Sequence, residues 1–101
     1  MIAPMKIGEG FYTDLGDLHL IVQVMQDGWY YRIVQPKDKK ICVDWALGPG
    51  PSTSPYQEPE DIKYEAMTTA MSLLGMKDDP HAIFRSLRWK QFGSEFSGTQ
   101  I

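Results

Sequence analysis

Cysteine occurs once in the 101 residues, at Cys42, so no disulfide can form within the chain. No second thiol or histidine stands near it at a redox or metal-ligand spacing. A reducing, intracellular compartment, the cytoplasm, is the expected setting. Long apolar runs are also missing. The longest covers a few residues, far below the roughly 20 that cross a bilayer, and no basic stretch precedes an apolar core at the start. Neither a membrane span nor a signal peptide is expected. An excess of positive charge is lacking too: 10 basic side chains stand against 13 acidic ones, a formal net charge of −3, which weighs against a nucleic-acid-coating protein.

Catalytic constellations are equally scarce. The two histidines, His19 and His81, fall on different predicted elements, and neither has a carboxylate at a metal-ligand interval, so no metal is expected. Cys42 sits between Ile41 and Val43, the setting of an inert, half-buried strand residue and not of an activated nucleophile. The carboxylates Glu58, Glu60, Asp61, Asp78 and Asp79 gather where helices begin, which the helix dipole explains without catalysis. The run Gly48-Pro49-Gly50-Pro51 has no lysine where a phosphate loop needs one, and its prolines remove backbone donors. No catalytic residue, cofactor or nucleotide site is expected.

What is present describes an architecture. Residues 1–101 suit one small domain: 43% of the chain is hydrophobic, and this length buries roughly 60 to 70% of its unfolded surface. Residues 1–17 show no sustained period and read as an irregular arm, anchored by Phe11 and Tyr12, with room for a short strand at residues 5–7. Three strands come next, over residues 18–25, 29–35 and 40–46, each β-branched or alternating. Asp27-Gly28 is the strongest short hairpin signal between the first two. With that pair as the loop, Val24 faces Tyr31 and Val22 faces Ile33, and Leu20, Val22, Val24, Trp29, Tyr31 and Ile33 share one apolar face. Pairing Ile33 with Val43 makes residues 37–39 the second loop and adds Ile41, Val43 and Trp45 to it. The opposite face collects His19, Ile21, Gln23, Met25, Tyr30, Arg32, Val34, Cys42, Asp44 and Ala46, with Arg32 placed to pair across strands with Asp44 and to face Gln23.

Residues 47–59, with four prolines and two glycines, read as a connection. Pro49, Pro51 and Pro55 around Tyr56 fit either a linker or an extended recognition segment. A helix is expected over residues 60–74. Ile62, Ala66, Ala70 and Leu73 lie on its core face, Met67 and Leu74 flank them, and Gly75 stands as the C-terminal cap. A second helix opens at Asp79-Pro80 and runs to about residue 92. Residues 93–101, rich in Gly, Ser and Thr, read as a loose tail. The expected fold is α+β: a three-stranded antiparallel meander packed on one face by a helix, with a second short helix after it.

Two surfaces stand out. On the second helix, Ile83, Phe84 and Leu87 form a core stripe, which leaves Arg85, Arg88, Trp89 and Phe92 together on the other side. Arginine and tryptophan are enriched where proteins bind partners. Alternatively, the helix ends near Trp89 and the tail folds Trp89 and Phe92 back onto the domain. The second surface is the outer sheet face around Tyr30 and Arg32, more apolar than solvent exposure alone requires. The leading expectation is a non-catalytic interaction module whose partner, another protein or a second copy, meets Tyr30 and Arg32 or Arg85, Arg88 and Trp89. The alternative is nucleic-acid binding. It requires Lys37, Lys39 and Lys40 of the second hairpin to converge with Arg85, Arg88 and Lys90 of the last helix.

Overall fold

The computed structural model describes residues 7–25, 28–47 and 59–93. The fold is α+β, an antiparallel sheet with two helices, and the sheet has five strands where three were expected. They are β1 (Gly10–Leu15), β2 (Leu18–Met25), β3 (Gly28–Gln35), β4 (Lys40–Leu47) and β5 (Lys90–Phe92), in the spatial order β4-β3-β2-β1-β5. The helices are α1 (Pro59–Leu74) and α2 (Pro80–Ser86).

Both additional strands lie in stretches without a clear period. The arm holds β1, which pairs with β2 along its whole length, from Gly10 opposite Gln23 to Leu15 opposite Leu18. The two residues left between these strands are Gly16 and Asp17. Gly16 has φ 61, the left-handed backbone that a two-residue hairpin turn uses. Of the strand anticipated at residues 5–7, Met5 and Lys6 lie outside the described residues, and Ile7 belongs to an exposed turn. β5 occupies the end of the segment expected to be helical. Gly10, Phe11 and Tyr12 pair with Phe92, Gln91 and Lys90, which closes the sheet on its far side.

The β2–β3 register differs from expectation by two residues. Val24 pairs with Trp29, Val22 with Tyr31 and Met25 with Gly28, so Asp27, half of the anticipated turn, lies outside the described residues. A slip of two keeps every side chain on its face, because side chains alternate with a period of two. Leu20, Val22, Val24, Trp29, Tyr31 and Ile33 therefore form the core as expected. Arg32, in consequence, faces Ile21 and not Gln23.

The β3–β4 pair departs further. Ile33 does pair with Val43, but Val34 pairs with Ile41 and Tyr31 with Ala46, so two irregularities each place an extra residue in β4. A bulge reverses the facing of the residues beyond it. Trp45, expected in the core, has φ 50 and turns to the outer face, whereas Ala46, expected outside, packs against the core. Ile41, also expected inside, is exposed. The chain enters β4 through a single 3-10 turn over Pro36–Asp38 and a left-handed Lys39.

Helix α1 covers the inner face. Its buried residues are Ile62, Lys63, Ala66, Met67, Ala70 and Met71, a pair of i, i+4 rows. Leu73, expected among them, is 52% exposed, and Lys63 takes part in the buried face instead. Tyr31 passes between sheet and helix, its hydroxyl within 3.5 Å of Glu65 Oε2 and 3.4 Å of Thr69 Oγ1. Gly75, with φ 70, ends the helix as anticipated, and the Met76 amide donates to the Met71 carbonyl at 2.9 Å. Helix α2 begins as expected: Asp79 accepts from the His81 amide at 3.3 Å, with Pro80 in the first turn. It stops at Ser86, six residues short of the expected end. Leu87 is already extended (ψ 144), which frees the next residues to reach β1. Tyr64 joins the helices through ring contacts to His81 and Phe84. Of the long connection, residues 48–58 lie outside the described residues, as do residues 94–101 of the tail.

Candidate functional site

With α1 on one face, no described element covers the other. The register arranges its side chains in cross-strand rows. Tyr12 faces Ile21, Ile21 faces Arg32, and Asp44 and Trp45 together oppose Arg32 across the bulge; on the far side Tyr12 faces Lys90. In a neighbouring row Tyr30 faces Gln23, Gln23 faces Gly10 and Gly10 faces Phe92. Directly opposed side chains in an antiparallel pair share a face and touch. The rows enclose a shallow, largely apolar groove of about 340 Å³, lined by Tyr12, His19, Ile21, Gln23, Trp45 and Phe92.

Each wall has a local cause. Phe92 is the last residue of β5, and its ring lies against Gly10, where a Cβ would stand 2.8 Å from the ring edge. An aromatic side chain laid over a strand glycine on the neighbouring strand is a known device for protecting it. Tyr12 sits between Phe92 and His19, with ring centroids 6.1 and 5.6 Å away and tilted by 40° and 46°, an ordinary aromatic geometry. His19 is fixed through Nδ1, which is 2.7 Å from Asp14 Oδ1. Gln23 is fixed through Nε2, which donates to the Gly8 carbonyl at 2.8 Å. Trp45 closes the β4 side, its indole stacked by the Arg32 guanidinium at 5.6 Å.

The Arg32 charge on this face is paired, and Lys90, across from Tyr12, is exposed. Arg32 Nε lies 3.4 Å from Asp44 Oδ1, an ion pair without hydrogen-bond geometry. The pairing matches the expected Arg32–Asp44 contact. At this exposure it contributes a few tenths of a kcal/mol up to about 1.

The five residues singled out from the sequence do not form one site. Tyr30 and Arg32 are on the outer face beside the groove. Arg85 and Arg88 are exposed on the α2–β5 segment at the opposite edge of the sheet from β4. Trp89 is half-buried and packs against the core, its ring 5.6 Å from Lys63 Nζ. The helical face that grouped Arg85, Arg88, Trp89 and Phe92 does not exist, because α2 ends at Ser86 and the residues beyond it are extended. Trp89 goes inward and Phe92 goes to the groove, the fold-back alternative. Thr13 reinforces this return, its Oγ1 donating to the Arg88 carbonyl at 3.1 Å. Between β1 and this segment lies a more polar cleft lined by Thr13, Asp14, Ser86, Arg88 and Lys90 among others.

Four groove residues, His19, Ile21, Gln23 and Tyr12, were readable as β-strand or aromatic positions, but only the first three were on the expected outer face. The Gly16-Asp17 pair between Leu15 and Leu18 was the missed hairpin signal that places Tyr12 there. Among the described residues, no group of three or more His, Cys, Asp or Glu could hold a metal ion. Cys42 is half-buried against the core and does not line the groove. No described helix is long and apolar enough to cross a membrane. Comparison with protein-family models, with curated proteins and with solved structures finds no match to this chain.

Proposed function

We propose that the protein is a small non-catalytic binding module that holds an apolar segment of a partner polypeptide in the groove on the sheet face that no described element covers. Trp45 carries this reading. A left-handed backbone costs a non-glycine residue about 1–2 kcal/mol. Here it takes the indole away from the core, where an alternating strand would have buried it, and sets it at the groove wall. The neutralised Arg32 and the aromatic lining suit an apolar contact, in which aromatic side chains contribute most of the energy.

The test is selection from a random-peptide library against the intact chain, with Trp45→Gly as the counter-target. Glycine adopts φ 50 without strain, so this variant removes the indole while favouring the fold. Peptides that bind the wild type and lose at least tenfold in affinity for Trp45→Gly support the module. Peptides that bind both forms equally, or no enrichment at all, would overturn it.

A further inference from the structure

We infer that the partner segment carries an aspartate or glutamate within two residues of its apolar anchor, and that Arg88 and Lys90 receive this carboxylate in the cleft beside the groove. The inference rests on the binding-module reading and names a second determinant of what that module recognises.

Groove and cleft meet at Tyr12, which lines both. The cleft, of about 310 Å³, has Arg88 and Lys90 among its walls. Lys90 stands across from Tyr12 in the β1–β5 pair, so its side chain leaves the sheet on the groove's face. Trp89, between the two cations, packs against the core, and both cations are exposed. The backbone that bears them is held in place: Lys90 is in β5, and the Arg88 carbonyl accepts from Thr13 Oγ1 at 3.1 Å. Among the described residues, neither cation has an ion-pair partner. A lysine on an edge strand discourages strand pairing, but that role asks for neither Arg88 nor a cavity bounded by both cations.

Charge selects the anion. Asp14 also lines the cleft, its carboxylate 2.7 Å from His19 Nδ1. Taken at full charge, it leaves the cleft with one net positive charge, which a single carboxylate balances and a doubly charged phosphate exceeds. Nucleic acid binds through a run of phosphate contacts, whereas these two cations share one cleft and the lysines of β4 are on the opposite edge of the sheet. Spacing follows from strand geometry. Neighbouring strands are about 4.8 Å apart and an extended peptide advances about 3.3 Å per residue, so side chains in groove and cleft belong to positions one or two apart.

The experiment titrates the full chain, labelled with ¹⁵N, with capped pentapeptides of glycine and serine. Each contains phenylalanine and, two positions away in either order, aspartate, asparagine or phosphoserine. Amide shifts at Tyr12, Ile21 and Lys90 report the site. The aspartate peptide is expected to move them saturably and to bind about fivefold more tightly than the asparagine peptide, the range that exposed charge pairs supply. Arg88→Gln with Lys90→Gln should abolish that preference and leave the asparagine peptide's affinity unchanged. Salt at about 1 M, which screens charges beyond about 3 Å, should abolish it in the wild type, a control that needs no variant.

Equal affinity of the aspartate and asparagine peptides, a preference that survives the double variant or the salt, or no shifts at these residues would overturn the inference. Tighter binding of the phosphoserine peptide, or of a short single-stranded oligonucleotide, would replace the carboxylate with a phosphate and overturn it too. Concentration-dependent shifts without peptide would place a second copy on this face and do the same. Library peptides that need Trp45 but carry no carboxylate within two residues of the apolar anchor would overturn this inference and leave the binding module intact.

Discussion

At the scale of single residues, Lys63 is the position where physical chemistry and composition conflict most. It is 8% exposed, its ammonium 3.8 Å from the centre of the Phe11 ring and 4.0 Å from Glu60 Oε2. Burial lowers its pKa below the ordinary 10.5, with the Glu60 carboxylate pulling the other way. The aromatic contact repays part of the desolvation, because a cation over a ring is attracted most when it has lost water. A lysine whose folded pKa lies below its unfolded one is disfavoured while charged. At neutral pH both states are protonated and the full penalty is present. As pH rises through the folded pKa toward 10.5, the folded state releases its proton first, and stability rises. Lys63→Met keeps the stem and removes the charge. It is expected to stabilise the fold by about 1 kcal/mol at pH 7, a gain that shrinks toward pH 10. Urea unfolding of both forms across that interval measures it. A destabilised variant would show that the cation–ring contact outweighs the burial cost.

At the scale of elements, the strands differ in how much of their placement is local. β2 and β3 were readable because their alternation is strict. Even a two-residue error in their turn left each side chain on its proper face. β4 was readable as a strand but not in its facing, since bulges depend on how the neighbouring strand and the covering helix accept it. The α2 start was readable from Asp79-Pro80. Its end was not, because residues 87–92 keep helical spacing in sequence while their extended form is stabilised by β1. Gly10 shows the cost of that pairing. A Cβ there would overlap the Val22 carbonyl oxygen and stand 2.8 Å from the Phe92 ring and 2.9 Å from the Gln23 Cα. Two of those neighbours are backbone atoms, which cannot give way without moving β2. Gly10→Ala is therefore expected to lower stability by about 2 kcal/mol or more, within the range for overpacked positions. It should also loosen β5, seen as faster amide exchange at residues 90–92. Unchanged exchange there would mean that Phe92 does not depend on the glycine.

At the scale of the whole molecule, sheet order bears on the nucleic-acid alternative, which requires the basic segments to converge. Residues 32–45 and 80–101 each carry a net charge of +2. β4 and β5 are opposite edges of a five-stranded sheet, four strand spacings or about 19 Å apart. The lysines at the start of β4 and the cations around β5 are thus divided by three strands whose outer face is apolar and charge-paired. Titration with short single-stranded and duplex oligonucleotides at low salt is expected to give no saturable change in tryptophan fluorescence. Quenching that weakens steeply with added salt would restore the nucleic-acid alternative.

The sequence by itself determined the α+β class, the core face of β2 and β3, the Arg32–Asp44 pair and the positions of both helix starts. These depend on alternation, on caps and on neighbours joined by short turns, all of which are written within a few residues of one another. Only the tertiary structure decided that the sheet has five strands, that Trp45 faces outward and that Trp89 and Phe92 part to opposite faces. Each of these depends on a partner distant in sequence: the Thr13–Arg88 hydrogen bond spans 75 positions. A three-residue strand such as β5 has too little local preference to declare itself. It exists because β1 offers unpaired backbone groups that must be satisfied, and the groove exists because β5 brings Phe92 to that edge.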